Sequence, residues 1–208
     1  MEIWAYLALP AAYLYGAVPY GLLAAKLLKG VDIRETGSGN IGATNAARTL
    51  GWESFPFIFL LDVSKGAIPV GAVLYLSGSS WGGDPPLTAV VVGLAAILGH
   101  VFPVYLGFKG GKGVATSTGV FAMLSPWALL AAAAVWSGVF GAWRYVSLAS
   151  MCAAGTLAAT VWIVTPDPLG EGIYVCIFAT VGAVAIIALH HGNIRRLLHG
   201  EEDKIGAD

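Results

Sequence analysis

The stretch Phe108–Gly113, F-K-G-G-K-G, sets three glycines and two lysines into a chain that is otherwise strongly apolar. Glycine lets backbone N–H groups turn into one concave nest and lysine adds full positive charge, so the occupant this composition suits is a phosphate or another multiply charged anion. Lys109, Gly110, Gly111, Lys112 and Gly113 are therefore candidate phosphate-binding residues. The stretch is not a Walker A loop, because Leu106 stands where that pattern has its first glycine and Gly113 where it has Ser or Thr. A positive-inside anchor would account for the lysines but not for the glycines packed between and beside them. His100 lies some two turns earlier, ahead of Pro103, and is expected as a partly buried imidazole facing this loop, the alternative being a satisfied structural histidine.

Three further places collect groups able to do chemistry. Gly37–Arg48 reads G-S-G-N-I-G-A-T-N-A-A-R, in which Ser38, Asn40, Thr44 and Asn45 offer short hydrogen-bonding groups and Arg48 a bidentate grip on phosphate. Gly37, Gly39 and Gly42 satisfy G-x-G-x-x-G, but a transmembrane helix and not a strand precedes them, so a dinucleotide reading is rejected. We expect a substrate-binding loop here rather than a solvated linker. Arg144 and Ser147 form the second place; Arg144 either marks topology or binds phosphate, and Ser147 either caps the following helix or donates to phosphate. The third is His190–Glu202, where His190 and Asn193 share a face if the helix continues past Gly192; the alternative is a basic amphipathic tail on the bilayer surface. His199 is expected in solvent.

The elements that must position these groups are membrane helices. The chain of 208 residues is 57% hydrophobic and 11% charged, against about 25% charged for an ordinary soluble domain. The net charge of −1 gives no indication of a nucleic-acid partner. Apolar runs near spanning length, about 20 residues, occur at Ile3–Ala25, Phe55–Leu76, Leu87–Leu106, Val146–Val164 and Ile173–Leu189. Val114–Trp143 is too long for one crossing, and Ser125-Pro126 divides it into helices near Val114–Leu124 and Trp127–Ala142. The expected fold is an all-α, polytopic transmembrane bundle of seven spans in one domain covering residues 1–208. Glu2 and the length of the first run favour a span over a cleaved signal peptide.

With the N-terminus outside, this count puts Lys26, Lys29, Arg34, Arg48, Lys109, Lys112, Arg144, Arg195, Arg196 and Lys204 on the cytoplasmic side, along with the C-terminus. Glu2, Asp84, Asp167 and Glu171 are then left outside, with no Lys or Arg beside them. Short cytoplasmic loops carry such an excess of positive charge. Cys152 and Cys176 read as apolar fillers without metal-ligand spacing, and no metal site is expected. Asp62 and Lys65, three apart inside a span, are read as a structural ion pair facing the bundle in preference to a substrate contact. The small residues Ala131–Ala134, Gly138, Gly141, Ala153, Ala154 and Gly155 permit close helix packing or a lipid-width groove, with close packing the default expectation.

Taken together, the motifs resemble the bacterial acyl-phosphate:glycerol-3-phosphate acyltransferase family. The signatures stand in order: G-S-G-N-x-G-A-T-N-x-x-R at Gly37–Arg48, H-x-F-P followed by F-K-G-G-K-G-V-A-T at His100–Thr116, and H-x-x-N-I-x-R-L-x-x-G-x-E at His190–Glu202. D-x-x-K-G at Asp62–Gly66 and R-Y-x-S-x-x-S at Arg144–Ser150 match as well. The resemblance implies a seven-helix enzyme of the bacterial inner membrane with no cofactor, acylating the 1-hydroxyl of glycerol 3-phosphate from acyl phosphate. It implies catalysis through Ser38 and Arg48, phosphate binding by the glycine-lysine motif, site roles for His190 and Asn193, and structural integrity from Glu202. Its partners would be the two substrates, membrane lipids and the soluble enzyme that supplies acyl phosphate, with no nucleic acid. The competing class is a small multi-span anion transporter, against which stand polar clusters gathered at one edge and the lack of an internal repeat.

Two phosphorylated substrates repel one another unless cations intervene, and Arg48, Lys109, Lys112 and Arg144 are the cations at hand. Acyl phosphate is already activated, so positioning and charge stabilisation are the main tasks. His100, His190 and a substrate phosphate oxygen remain candidates to take the hydroxyl proton; substrate assistance is favoured.

Overall fold

The computed structural model describes residues 3–79 and 86–206, and every regular element among them is helical. Glu2 and Asp84, assigned above to the outer side, lie outside the described residues. The helices are α1 (Ile3–Gly16), α2 (Tyr20–Lys29), α3 (Ala43–Leu50), α4 (Phe55–Leu76), α5 (Leu87–Val101), α6 (Val114–Leu124), α7 (Pro126–Trp143), α8 (Val146–Val164), α9 (Ile173–Leu189) and α10 (His191–His199). They fall into two compact units, residues 3–79 with 86–124 and residues 125–206.

The first apolar run is broken. Pro19 has no N–H to continue a helix, and the axis turns by 40° between Leu7–Gly16 and Tyr20–Lys29. Gly30, in the left-handed region at φ 68°, closes α2 by donating to the Lys26 carbonyl. Gly37–Arg48, read above as a loop, contains α3 from Ala43 onward. Ala43 and Ala46 bury against Leu22 and Ala25 of α2 and Ile58 of α4, and that apolar contact is what makes a helix of a polar sequence.

Among the described residues four helices are long and apolar enough to cross a bilayer, Trp52–Leu76, Leu87–Leu106, Pro126–Trp143 and Val146–Val164, each run including any adjoining short turn. Counting the bent pairs Leu7–Gly16 with Tyr20–Lys29 and Ile173–Leu189 with His191–His199 gives up to six. The eleven residues of α6 rise only about 16 Å, short of the roughly 30 Å hydrocarbon core. Large apolar side chains face outward, among them Phe57, Leu60 and Ile68 of α4, while Asp62, Lys65 and His100 are buried. This inverted pattern is that of a helix bundle whose solvent is lipid.

In the first unit the helices meet backbone to backbone. A Cβ on Gly119 would come within 1.9 Å of the Val63 carbonyl oxygen, and one on Gly66 within 2.2 Å of that of Thr116, so α4 and α6 touch along their main chains. Gly16 and Gly99 join α1 to α5 in the same way, against the Ala96 and Tyr13 carbonyls. Small residues at such crossings are how membrane helices gain packing contact without a hydrophobic drive. The second unit differs: Gly138, Gly141 and Gly155 face open space, where an added methyl would meet nothing within 4 Å, so the close packing expected there is not what these glycines provide.

Candidate functional site

Motif one is built around Asn45. Its amide nitrogen donates to the carbonyls of Ile33 (2.7 Å), Asn40 (2.9 Å) and Thr36 (3.1 Å), and its Oδ1 accepts the Ser38 N–H at 3.0 Å. Asn45 is 2% exposed, and its polar atoms hold the loop in shape. Asn40 Oδ1 accepts the Gly42 N–H at 2.9 Å, setting the start of α3. Ser38 is exposed and Arg48 half-buried, with the Arg48 Cδ 3.6 Å from where a Cβ on Gly37 would stand. Thr44 is half-buried on the first turn of the same helix.

Motif two closes the end of α5. The last carbonyls of a helix need donors from outside it, and Gly110 N–H serves Val101 (3.1 Å) while Gly111 N–H serves His100 (3.0 Å). These two N–H groups, read from sequence as part of an anion nest, are therefore spent on the helix end. The glycines are required by crowding: a Cβ on Gly111 would fall 2.1 Å from His100 Nε2, and one on Gly110 2.2 Å from the His100 carbonyl oxygen. Gly113, at φ 77°, starts α6 by accepting the Ser117 N–H at 2.8 Å. Of the two lysines, Lys109 is exposed and Lys112 half-buried.

Beneath this loop lies a buried polar cluster. Lys65 Nζ is 2.5 Å from Asp62 Oδ1 and 3.3 Å from His100 Nδ1, while Asp62 Oδ1 and His100 Nδ1 are 3.8 Å apart. The ion pair inferred from spacing is present, and it reaches His100, which spacing did not reveal. The Tyr20 ring lies 5.0 Å from Lys65 Nζ, and the Thr116 hydroxyl donates to the Asp62 carbonyl at 3.2 Å. Asp32, missed from the sequence, pairs with Arg34 (2.6 Å) and Lys26 (3.2 Å), and the hydrogen bonds of Arg34 chiefly hold its carboxyl well below the usual range.

In the second unit Glu202 is the hub. Its Oε1 accepts from the Ser147 hydroxyl (2.7 Å) and Asn193 Nδ2 (2.6 Å), and its Oε2 from Arg196 Nε (2.7 Å). Burial pushes this carboxyl up, but the three donors outweigh it and bring it below the ordinary glutamate range. Ser147 does not cap α8, where Tyr145 holds the cap position, and its hydroxyl is donated to Glu202. Arg144, another expected phosphate ligand, donates from Nε to the Ile205 carbonyl (3.0 Å) while its own carbonyl accepts the Ile205 N–H (3.0 Å). That pairing ties residue 205 to the α7–α8 junction. His190 is buried, and its Nδ1 lies 2.7 Å from the Ile186 carbonyl, so Nδ1 carries a proton and donates it there. Asn193 is buried one turn on, His199 exposed. Among the described residues no group of three His, Cys, Asp or Glu is arranged to hold a metal.

The family model described as glycerol-3-phosphate acyltransferase matches residues 6–200. Similar curated proteins named glycerol-3-phosphate acyltransferase include one from Syntrophotalea carbinolica, 43% identical over 97% of this chain and 98% of that one. Another, from Geobacter sulfurreducens, is 46% identical over 94% of this chain and 95% of that one. Two crystal structures of PlsY (YgiH), an integral membrane glycerol 3-phosphate acyltransferase, superpose on it. The glycerol 3-phosphate form has TM-score 0.86 and 42% identity, covering 97% of this chain and 96% of that one. The lysophosphatidic acid form has TM-score 0.83 and 41% identity, covering 97% and 95%. With the signature residues of all three motifs present and the similarity running the length of both chains, this protein belongs to the glycerol-3-phosphate acyltransferase family of integral membrane enzymes.

Proposed function

We propose that the chain transfers an acyl group from acyl phosphate to the 1-hydroxyl of sn-glycerol 3-phosphate, giving lysophosphatidic acid and inorganic phosphate. The observation that carries this reading is the pair of solved relatives, a glycerol 3-phosphate form and a lysophosphatidic acid form, which are the acceptor and the product of a single acylation. The O1 atom attacks the acyl carbon, the bond from that carbon to the phosphate oxygen breaks, and the hydroxyl proton leaves with the departing phosphate. Ser38 and Arg48 act at the reacting groups, Lys109 and Lys112 neutralise phosphate charge, and His100, His190 and Asn193 orient substrate. Acyl phosphate is preferred as donor because a mixed anhydride already carries its activation, so no nucleophilic triad is needed. The test is purified protein in detergent given glycerol 3-phosphate and, in turn, acyl phosphate, acyl-CoA and acyl-carrier protein. Lysophosphatidic acid is expected with acyl phosphate alone; equal turnover with acyl-CoA sinks the donor, and no product from any donor returns the transporter reading.

The charge asymmetry of the loops supports seven crossings in the bacterial inner membrane, N-terminus outside and C-terminus cytoplasmic, with Val114–Leu124 as one of them. All the cationic motifs then face the cytoplasm. Single cysteines at positions 109 and 195, in a chain with Cys152 and Cys176 replaced by Ala, are expected to react with an impermeant maleimide only in inverted vesicles. Labelling of either from the periplasmic side overturns this topology.

A further inference from the structure

The cluster of Asp62, Lys65 and His100 is more than a neutralised ion pair. Lys65 is wholly buried and its Nζ stands 2.5 Å from a carboxylate, so it is the ammonium form. An ammonium carries donors and no acceptor. The second group within its reach, His100 Nδ1 at 3.3 Å, must therefore be the accepting nitrogen, without a proton. Asp62 Oδ1, at 3.8 Å from that nitrogen, is too distant to take a proton from it as a hydrogen bond. A doubly protonated ring would set two cations side by side against one buried carboxylate, with Tyr15 facing Lys65 and Tyr20 facing both Lys65 and Asp62 as further titratable neighbours.

We propose that Lys65, held by Asp62, locks His100 in the neutral tautomer whose proton sits on Nε2, so that His100 serves the reaction as a hydrogen-bond donor beside the Gly111 edge of the loop and never as its base. Nε2 is the ring atom against which Gly111 is packed, and any side chain at that position would displace it. The functional half rests on the reaction proposed above; the tautomer does not. Lys65 and Asp62 are thereby positioning residues. His190 differs in that its Nδ1 donates to the Ile186 carbonyl, where His100 Nδ1 accepts.

Nitrogen-15 NMR of histidine-labelled protein in detergent reads the tautomer directly, independent of turnover. The chain has 4 histidines, so the His100 signals are assigned by their loss in His100→Gln, or by elimination with variants of the other three should that one fail to fold. A protonated Nε2 and bare Nδ1 are expected, and the reverse overturns the proposal. In activity, His100→Gln, which returns an N–H near the Nε2 position, is expected to keep kcat within about tenfold of the parent, while His100→Asn falls as far as His100→Ala. Equal loss in all three sinks the donor role. Asp62→Asn with Lys65→Met removes both charges together; it is expected to mix the tautomers and lower kcat at least about fivefold with KM for glycerol 3-phosphate little changed. A parent-like spectrum in that variant shows that Lys65 is not the lock.

Discussion

Asn45 shows how a single buried side chain sets the shape of a loop. Its amide nitrogen reaches the carbonyls of Ile33, Thr36 and Asn40, and its oxygen fixes the N–H of Ser38. Asn45→Ala strands those groups in a buried place and is expected to cost about 2–3 kcal/mol of stability. The same change should lower kcat through the displaced Ser38; a variant that keeps both the parent Tm in detergent and the parent turnover refutes this account. Such a role is hidden in the sequence, because a loop of Gly, Ser and Asn looks alike whether its amides face a ligand or its own backbone. Arg144 and Ser147 carry the same ambiguity, and their partners, Ile205 and Glu202, lie some 61 and 55 positions away along the chain. Asp62 and Lys65 are legible because their spacing alone brings them together on a helix.

Helices are easier to read than side chains. The apolar runs at Phe55–Leu76, Val114–Leu124, Val146–Val164 and Ile173–Leu189 coincide with α4, α6, α8 and α9. The proline at 19 is visible too, but whether it breaks a run or merely bends it depends on tertiary contacts, and here it breaks one. Helix α3 escapes a sequence reading because its stability comes from Ala43 and Ala46 packing on α2 and α4, not from local propensity. The α4–α6 crossing offers a direct measurement. Gly119→Ala forces a methyl against the Val63 carbonyl and is expected to cost roughly 1–3 kcal/mol by overpacking. Gly138→Ala, placed in open space, should be neutral or slightly stabilising through helix propensity. Equal melting temperatures for the two variants would mean that the backbone contact contributes nothing.

Across the molecule, acidity should be felt through Glu202. Its carboxyl lies below the ordinary glutamate range in the folded state, so its contribution to stability is complete above the unfolded value and is lost as pH falls through the folded one. Glu202→Gln is expected to lose about 2 kcal/mol at neutral pH, or roughly 4–8 °C in Tm. The gap between the two proteins should narrow as the buffer is taken into the acid range; a gap that widens instead contradicts the sign. Ser147, Asn193 and Arg196 would then be jointly released, loosening the start of α8 from α10.

The two-way pairing of Ile205 with Arg144 bears on how the protein is handled. An affinity tag or fluorescent reporter fused directly after Asp208 would pull against a backbone that Arg144 needs as its partner, so such fusions call for a flexible spacer. A purification handle at the opposite terminus avoids the conflict altogether.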